Sequence, residues 1–456
     1  MGFVSGFIAG VLDDAVRDVT GRRALERQRG QAYSDWREAS RSFSVEVALA
    51  DAVANLCCSG FSMPVEGDSE RARLLDSASD RFVRDGLVVA MSLGLVTGDA
   101  LVVPVWDGTA FHNRIVAAPD FRIAVSAAGR PLAVAYVAEE RREGSATWSL
   151  VQVVRLETYT AVDGSTVRGC RYSLLVAKNG HIQSRSLRDF PEWAERYEQD
   201  WAVPNVDRLL VGRFRCPQRD PSHPNSTYGV PLCYGASEHL REVHYLTRAM
   251  HDEFELSEKA VFADRSLFAK DSQGNLVLPR GRDRLFMATR GGSVDSSSIS
   301  QWSPTIQSTP YAEALELAYR GVERDCGIDA GILSKPTEGG YQNVDNVRKS
   351  TRNTQALVNR CRGVADNMLD DLLYSWDMLL NHHGLPQGEW SHAHRWSDDY
   401  INTFADQRDA LLSGYGIGAT DAADFRQFVT GEDPEVARER VALIAQGRSL
   451  GIVGEE

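Results

Sequence analysis

The spacing of apolar and polar positions in the middle of the chain predicts a hairpin of two helices. Apolar side chains recur at helical spacing across residues 235–261 and again across 311–325. Residues 262–310 are rich in Gly, Ser and strand-like pairs, and they are too numerous for a plain connection. We therefore expect a projecting hairpin with a small β unit at its far end. Because such a hairpin has no core of its own, identical neighbouring copies are expected to supply its contacts.

Before the hairpin, the pattern is helical over residues 11–58 and 69–95, with a short strand expected at 61–65. A meander of short antiparallel strands is then predicted, because alternating segments are separated by Asp-Gly and Asn-Gly turns. A further strand is expected at 206–214. The predicted strands of the meander are 101–106, 122–126, 131–139, 149–156, 158–162, 170–178 and 183–186.

After the hairpin, the Gly- and Pro-containing residues 330–346 are predicted to form a flexible loop. The loop leads into a long helical pattern over residues 347–380, which would measure roughly 50 Å at 1.5 Å per residue. Small helices are expected within residues 406–456. The predicted fold class is α+β.

Length and charge limit the possible functions. A chain of 456 residues exceeds the usual size of one core, so two to four subdomains are expected. The net charge of −13 argues against a general nucleic-acid coat, although it permits a local basic surface. No stretch is a membrane-span candidate, and residues 1–12 lack a signal peptide's basic region, so we expect a soluble intracellular protein. The seven scattered cysteines are expected to be reduced thiols.

No arrangement typical of a catalytic centre is present. The sequence has neither the G-x-x-x-x-G-K-[ST] loop of nucleotide-driven motors nor the G-x-S-x-G elbow of hydrolases. One histidine cluster follows the long helix: His382, His383, His392 and His394. A metal site is one interpretation, and an exposed helix C-terminus that interacts with the helix dipole is the favoured one. Paired acids such as Asp370-Asp371 are interpreted as a solvated face. We expect no enzymatic activity, no cofactor and no metal ion.

Two stretches carry clustered cations. Arg348, Lys349 and Arg352 stand at the junction of the loop and the long helix, and Arg348 and Arg352 share a helix face. The predicted insertion contains Arg265, Lys270, Arg280, Arg282, Arg284 and Arg290. Each stretch fits either an ordinary solvated surface or a sparse set of cations that attracts phosphates without reading sequence.

The order of these elements resembles that of the portal proteins of tailed bacteriophages. Two runs carry the resemblance: NSTYGVPLCYGASEHLREVHYLTRAMHDEFELSEKAVF (225–262) and DCGIDAGILSKPTEGGYQNVDNVRKSTRNTQALVNRCRGVADNMLDDLL (325–373). The stretch DGLVVAMSLGLVTGDALVVPVWDG and the β meander after it are similar to the wing of these proteins. The resemblance covers nearly the whole chain and lies in element order, since the family has no catalytic motif. Asn343-Val344-Asp345-Asn346 departs from the Ala-Thr-Glu of many relatives.

The resemblance implies a division of the chain into functional parts. These are a wing (1–234), stem helix 1 (235–261), a clip (262–310), stem helix 2 (311–329), a tunnel loop (330–346), a long wing helix with the segment after it (347–405) and a helical crown (406–456). It also assigns two sets of site residues. The tunnel loop and DNA channel would use Lys335, Thr337, Gly339, Gly340, Gln342, Asn343, Arg348, Lys349 and Arg352. The clip would meet the terminase and the adaptor through Arg265, Lys270, Arg280, Arg282, Arg284 and Arg290.

The implied function is a ring, typically a dodecamer, at one capsid vertex. The terminase motor would package viral DNA through it, and the DNA would later be ejected through the same channel. Expected partners are further copies of the chain, double-stranded DNA, the terminase large subunit, the major capsid protein and scaffold, and a head-tail adaptor, with no membrane. The protein would assemble in the host cytoplasm and remain in the virion. The missing nucleotide loop fits, because a separate chain hydrolyses ATP in that system.

Two alternatives remain open. Another oligomeric virion protein, such as an adaptor or a scaffold-like protein, would share the lack of catalytic motifs, but adaptors are usually much shorter. An enzyme with a site assembled from scattered residues would use the histidine cluster. The mass in solution discriminates them, because a ring of about twelve copies supports a portal and a monomer or dimer supports an enzyme.

Overall fold

The computed structural model of the chain describes most of the sequence from residue 45 onward. The described residues are 45–125, 131–144, 146–160, 166–178, 181–183, 187–198, 200–219, 226–256, 260–264, 269–270, 272–273, 276–277, 286–289, 299–302, 308–335, 352–397, 411, 415, 421–430 and 434–449. These residues form a mixed α+β structure, as predicted. No helix among them is long and apolar enough to cross a lipid bilayer.

The helices and strands of the described residues are numbered here in chain order. The helices are α1 (Val45–Cys58), α2 (Glu70–Asp85), α3 (Leu87–Thr97), α4 (Pro191–Ala194), α5 (Ser237–Leu256), α6 (Ser308–Cys326), α7 (Arg352–His382), α8 (Ala422–Thr430) and α9 (Pro434–Ser449). The strands are β1 (Val65–Glu66), β2 (Asp99–Trp106), β3 (Phe111–Ala117), β4 (Phe121–Val125), β5 (Pro131–Glu143), β6 (Ala146–Thr160), β7 (Thr166–Lys178), β8 (His181–Gln183), β9 (Asp200–Pro204), β10 (Gly212–Arg215), β11 (Ala260–Asp264), β12 (Ala269–Lys270), β13 (Leu276–Val277), β14 (Phe286–Thr289), β15 (Ile299–Trp302) and β16 (Ser391–His392).

The chain divides into two compact units. The first contains Ala50–Pro231 together with the chain from Gly339 onward. The second contains Leu232–Glu338 and the residues up to Leu49 that begin α1. The hairpin α5–α6 and its β insertion therefore belong to the second unit, and α7 and the β meander belong to the first.

A six-stranded antiparallel sheet forms one part of the first unit. Its strand order is β4-β5-β6-β7-β8, and β9 pairs with β7 at residues that β8 does not use. Successive side chains of a strand point to opposite faces, so β6 contributes to two cores. Trp148 and Leu150 pack with Phe190 and Trp193 on one face, and Val151 and Val153 pack with alanines of β5 on the other.

The long helix α7 is buried deeply in the first unit. Its apolar side chains recur at helical spacing, and Trp376 is completely buried, with its indole N–H donating to Asn113 Oδ1 of β3 (3.2 Å). The helix also packs against β10 of the smaller antiparallel sheet β10-β2-β3. Gly212 permits that close approach, because a Cβ there would lie 2.6 Å from Leu372 Cγ. The fully buried positions of α7 include Leu357, Val358, Cys361, Ala365, Met368, Leu369, Leu372, Trp376 and Leu380.

Two arginines, the buried Arg71 and the partly buried Arg213, hold loops of the first unit in place. Arg71 of α2 donates to Asp377 Oδ1 (2.6 Å), Pro386 O (2.8 Å) and Leu385 O (3.0 Å), so it fixes the chain where it leaves α7. Arg213 of β10 contacts the fully buried Asp99, with Nη2 2.9 Å from Oδ1. The other oxygen of Asp99 accepts from the backbone N–H of Gly229 at 2.7 Å. Charged groups are tolerated in a core when they are paired in this way.

The observed elements correct several predicted boundaries in the first unit. Residues 111–117 form β3, which was not predicted, because His112, Asn113 and Arg114 break the apolar alternation; pairing with β2 organises the strand. The two strands expected at 149–156 and 158–162 are the single strand β6. The helix expected at 69–95 is two helices divided at Gly86, where a Cβ would collide with the Phe82 ring. The strand expected at 206–214 begins only at Gly212.

In the second unit, the predicted order of helix, β insertion and helix is present, but stem helix 1 is shorter than expected. α5 ends at Leu256, and Val261 lies in β11. Val261 adopts a strand and not a helical conformation because β11 pairs with both β14 and β15. This pairing supplies more backbone hydrogen bonds than the end of a helix would. Residues 1–44, including most of the helical pattern at 11–58, lie outside the described residues.

We predict that Asp99→Ala destabilises the protein by about 3–5 kcal/mol, because it leaves the largely buried Arg213 guanidinium without this counter-charge. Urea unfolding followed by circular dichroism measures the loss. Asp85→Ala is the matched control, since Asp85 pairs with Arg84 on the surface, and it should leave the unfolding midpoint unchanged. Equal midpoints for the two variants would contradict a structural role for the Asp99–Arg213 pair.

Candidate functional site

The base of the hairpin α5–α6 is the part of it that is well packed. Leu240 and Val243 of α5 are buried, and so are Ala318 and Val322 of α6. The start of α5 lies beside the end of α6, where Gly321 leaves room for the imidazole of His239. The two helices are therefore antiparallel neighbours that are fastened at one end.

The hairpin also leaves large apolar side chains in contact with water. Tyr245 is 70% exposed, Leu317 is 69% exposed and Phe254 is 43% exposed. Further along α5, Leu246 and Met250 are only partly buried although they belong to the predicted apolar face. Exposed apolar side chains that together form a patch are typical of a surface that meets another molecule.

A buried carboxylate at the end of α6 holds the start of the predicted tunnel loop. Glu323 is 1% exposed, and its Oε1 accepts from the backbone N–H groups of Ile332 (2.8 Å), Leu333 (2.6 Å) and Ser334 (3.1 Å). The N–H of Gly331 lies 3.2 Å from the same oxygen. Oε2 accepts from the Ser334 hydroxyl at 2.6 Å. Successive amides that converge on one anion form a rigid turn, and such charge-assisted bonds are the strong ones.

The chain remains tied to α6 one residue further on. The backbone N–H of Lys335 donates to Glu316 Oε1 at 2.9 Å, and the same oxygen accepts from Arg320 Nε at 3.2 Å. Glu316 and Glu323 lie two helical turns apart and therefore share one face of α6. Residues 331–335 are thus fixed to that face by two carboxylates, and the side chain of Lys335 remains exposed.

Only part of the predicted DNA-channel set lies in the described residues. Lys335 is exposed at the end of the fixed turn, and Arg352 is the exposed first residue of α7. The other predicted members, Thr337, Gly339, Gly340, Gln342, Asn343, Arg348 and Lys349, lie outside the described residues. Of the clip set, Lys270 belongs to β12 by its backbone, and Arg265, Arg280, Arg282, Arg284 and Arg290 lie outside the described residues.

Sequence reasoning did not single out Glu316 and Glu323. Both fit the charged face of a predicted amphipathic helix, and such a face is ordinarily solvated. The only available signal was their spacing of seven residues ahead of a Gly-containing loop. Their role depends on where that loop folds back, and helical periodicity carries no information about it.

The structure separates the four predicted cluster histidines into two pairs. His382 and His383 lie at the C-terminal end of α7, next to Trp201 and Trp106 respectively. Partial burial and the neighbouring His382 lower the pKa of His383. His392 and His394 instead lie beside Asp366 and Asp370 in the middle of α7. Asp370 and His382 are twelve residues apart, about 18 Å along the helix.

Two of the cysteines are unsuited to nucleophilic chemistry. Burial raises the pKa of Cys58 and that of Cys170 to about 12. Both thiols are therefore protonated at neutral pH, whereas a nucleophilic cysteine needs the thiolate.

Comparison of the sequence with protein-family models finds no match. Comparison with curated proteins likewise finds no match.

We predict that Glu323→Ala releases residues 331–334 from α6, because four amides and a hydroxyl lose a common acceptor. Hydrogen exchange of these amides should accelerate at least about tenfold, equivalent to about 1.4 kcal/mol. Glu323→Gln should have a smaller effect, since its amide oxygen can still accept. Glu313→Ala, which removes an exposed carboxylate of the same helix, is the control and should change nothing. Unchanged exchange in Glu323→Ala would refute the anchoring role.

Proposed function

We propose that this chain is a portal-type subunit, copies of which form a ring around a channel for double-stranded DNA. The single observation that carries the proposal is the hairpin, which is packed at its base and yet leaves the large apolar side chains of Tyr245, Phe254 and Leu317 exposed. Its small β insertion joins the ends of the two helices that lie away from the packed base. The resemblance in element order supports the same assignment.

Side-by-side assembly accounts for the exposed side chains of the hairpin. A Leu or Phe side chain gains about 1.5–3 kcal/mol when it moves from water to a fully buried site. Leu317 and Tyr245 gain little of this in a single copy, since each is about 70% exposed. In a ring, α5 of one copy would meet α6 of the next, and each interface would bury both residues. Repeated around the ring, the hairpins of successive copies would form the wall of the channel.

The fixed turn after α6 supports a loop that acts from a defined origin. Glu323 and Glu316 hold residues 331–335, and α7 holds the chain again from residue 352. The exposed cations Lys335 and Arg352 lie at the two ends of the intervening segment. In the proposal, that segment approaches DNA in the channel while its ends stay anchored.

The charge of the chain also suits a conduit. A net charge of −13 with few clustered cations gives only weak and screened attraction to phosphates. DNA could therefore slide without being gripped. The terminase would supply the energy, and the clip would be the surface that meets terminase during packaging and the adaptor afterwards.

We predict that the purified chain forms a ring of about twelve copies. Leu317→Glu should reduce it to monomers or small oligomers, because a carboxylate would be buried at each contact between neighbouring hairpins. Mass photometry and negative-stain electron microscopy measure the assembly. Val89→Glu is the control, since Val89 of α3 is 51% exposed but lies outside the hairpin, and it should leave the ring intact. A compact monomeric wild-type protein would refute the proposed function.

We further predict that the double reversal Arg348→Glu and Arg352→Glu preserves ring mass but impairs DNA packaging or retention, because it replaces attraction for phosphates with repulsion. In vitro packaging, scored as nuclease-protected DNA per particle, measures the effect. Arg438→Glu is the control for a charge reversal at an exposed position of α9. Normal packaging by the double variant would remove these residues from the DNA path.

A further inference from the structure

His392 and His394 lie on a short extended segment that crosses over α7. The segment pairs with the chain near β1, through Val65 opposite His392 and a bridge between Ser62 and Arg395. Side chains two residues apart on an extended segment point to the same side, so both imidazoles face α7. On α7, Asp366 and Asp370 are one turn apart and also share a face. Two histidines thus meet two carboxylates.

Three ligand atoms converge in this place. His392 Nε2 lies 3.0 Å from Asp370 Oδ1, and His394 Nε2 lies 3.5 Å from the same oxygen. All three atoms lie within 4.8 Å of one another. In a tetrahedral zinc site with bonds of about 2.0–2.1 Å, neighbouring ligand atoms are separated by about 3.3–3.4 Å. The two distances to Asp370 Oδ1 are close to this spacing, and the third lies within 4.8 Å.

A second carboxylate orients one of the ligands. Asp366 Oδ1 lies 2.8 Å from His394 Nδ1 and accepts from the indole N–H of Trp396 at 2.8 Å. An indole nitrogen can only donate, so Asp366 is the acceptor for Trp396, and the same oxygen contacts His394 Nδ1. In the tautomer that carries its proton on Nδ1, next to this carboxylate, the lone pair is on Nε2. Metal-binding histidines are commonly oriented by a carboxylate in this way.

The Nε2 atom of His394 has no hydrogen-bond partner. Among the described residues it is one of three buried side-chain nitrogen or oxygen atoms in this condition, and its 3.5 Å contact with Asp370 lacks hydrogen-bonding geometry. A buried polar atom without a partner is costly. Coordination of a cation would satisfy this lone pair.

We propose that His392, His394 and Asp370 bind one zinc-type divalent cation, with Asp366 as the residue that positions His394. Two imidazoles and one carboxylate favour Zn²⁺, Co²⁺ or Ni²⁺ over Mg²⁺ and Ca²⁺, which prefer all-oxygen sites. Water would complete the coordination. The ion would fix residues 391–397 to α7. This site does not depend on ring assembly. It departs from our sequence-based expectation that the chain holds no metal.

The test uses the full-length, tag-free chain after treatment with EDTA. Isothermal titration with ZnCl₂ should show one ion per chain, and CoCl₂ should give the visible absorption of a four-coordinate site, whereas MgCl₂ should give no heat of binding. His394→Gln and Asp370→Asn should each weaken Zn²⁺ binding at least about 100-fold, and Asp366→Asn about 10- to 100-fold, as is usual for outer-shell partners. Zn²⁺ should also raise the melting temperature of the wild type and not that of His394→Gln.

The double variant His382→Gln/His383→Gln is the matched control. It removes two adjacent histidines at the C-terminal end of α7, which are distant from Asp366 and Asp370. It should bind Zn²⁺ as the wild type does. Circular dichroism in EDTA checks that each variant is folded before titration. Absence of a Zn²⁺ site in the wild type, equal binding of Mg²⁺, or unchanged binding by a folded His394→Gln protein would each overturn the proposal.

Discussion

The burial of α7 is the constraint on which the first unit depends. Elements from distant parts of the sequence use this helix as a common wall: Cys57 O accepts from Arg362, Arg71 binds Asp377 and the turn after the helix, and β10 lies over Leu372. A helix with one deeply apolar stripe must be covered along its length. The covering elements therefore have little freedom in position.

The two units of the protein bury their apolar side chains to different extents. In the first unit, α7 and the sheets bury whole side chains, and buried Asp99 is paired with Arg213. In the second unit, the hairpin buries side chains at its base and leaves Leu317 and Tyr245 in water. An element that keeps apolar surface exposed after folding is suited to association. The hydrophobic effect that stabilises the described fold would thus also stabilise the proposed ring.

Carboxylates perform the finer positioning in both units. Glu323 accepts hydrogen bonds from the amides of a turn, and Asp366 lies 2.8 Å from Nδ1 of His394. In each case a helix supplies the acid and a following segment of irregular or extended chain supplies the groups that approach it. Helices place carboxylates at regular spacing, so they can contact segments that cross or fold back over them.

The sequence by itself determined the α+β class, the order of helix, β insertion and helix, the long helix α7 and most strands of the meander, because periodicity and turn residues are local properties. It missed β3, where His112, Asn113 and Arg114 hide the alternation, and it extended stem helix 1 through Val261. Tertiary structure decided those two points through strand pairing. It alone also gave Glu323 its buried turn and brought His392 and His394 to Asp370 rather than to His382. The reason is physical: contacts between residues far apart in the chain depend on where the segments cross, and a local pattern contains no information about the crossing.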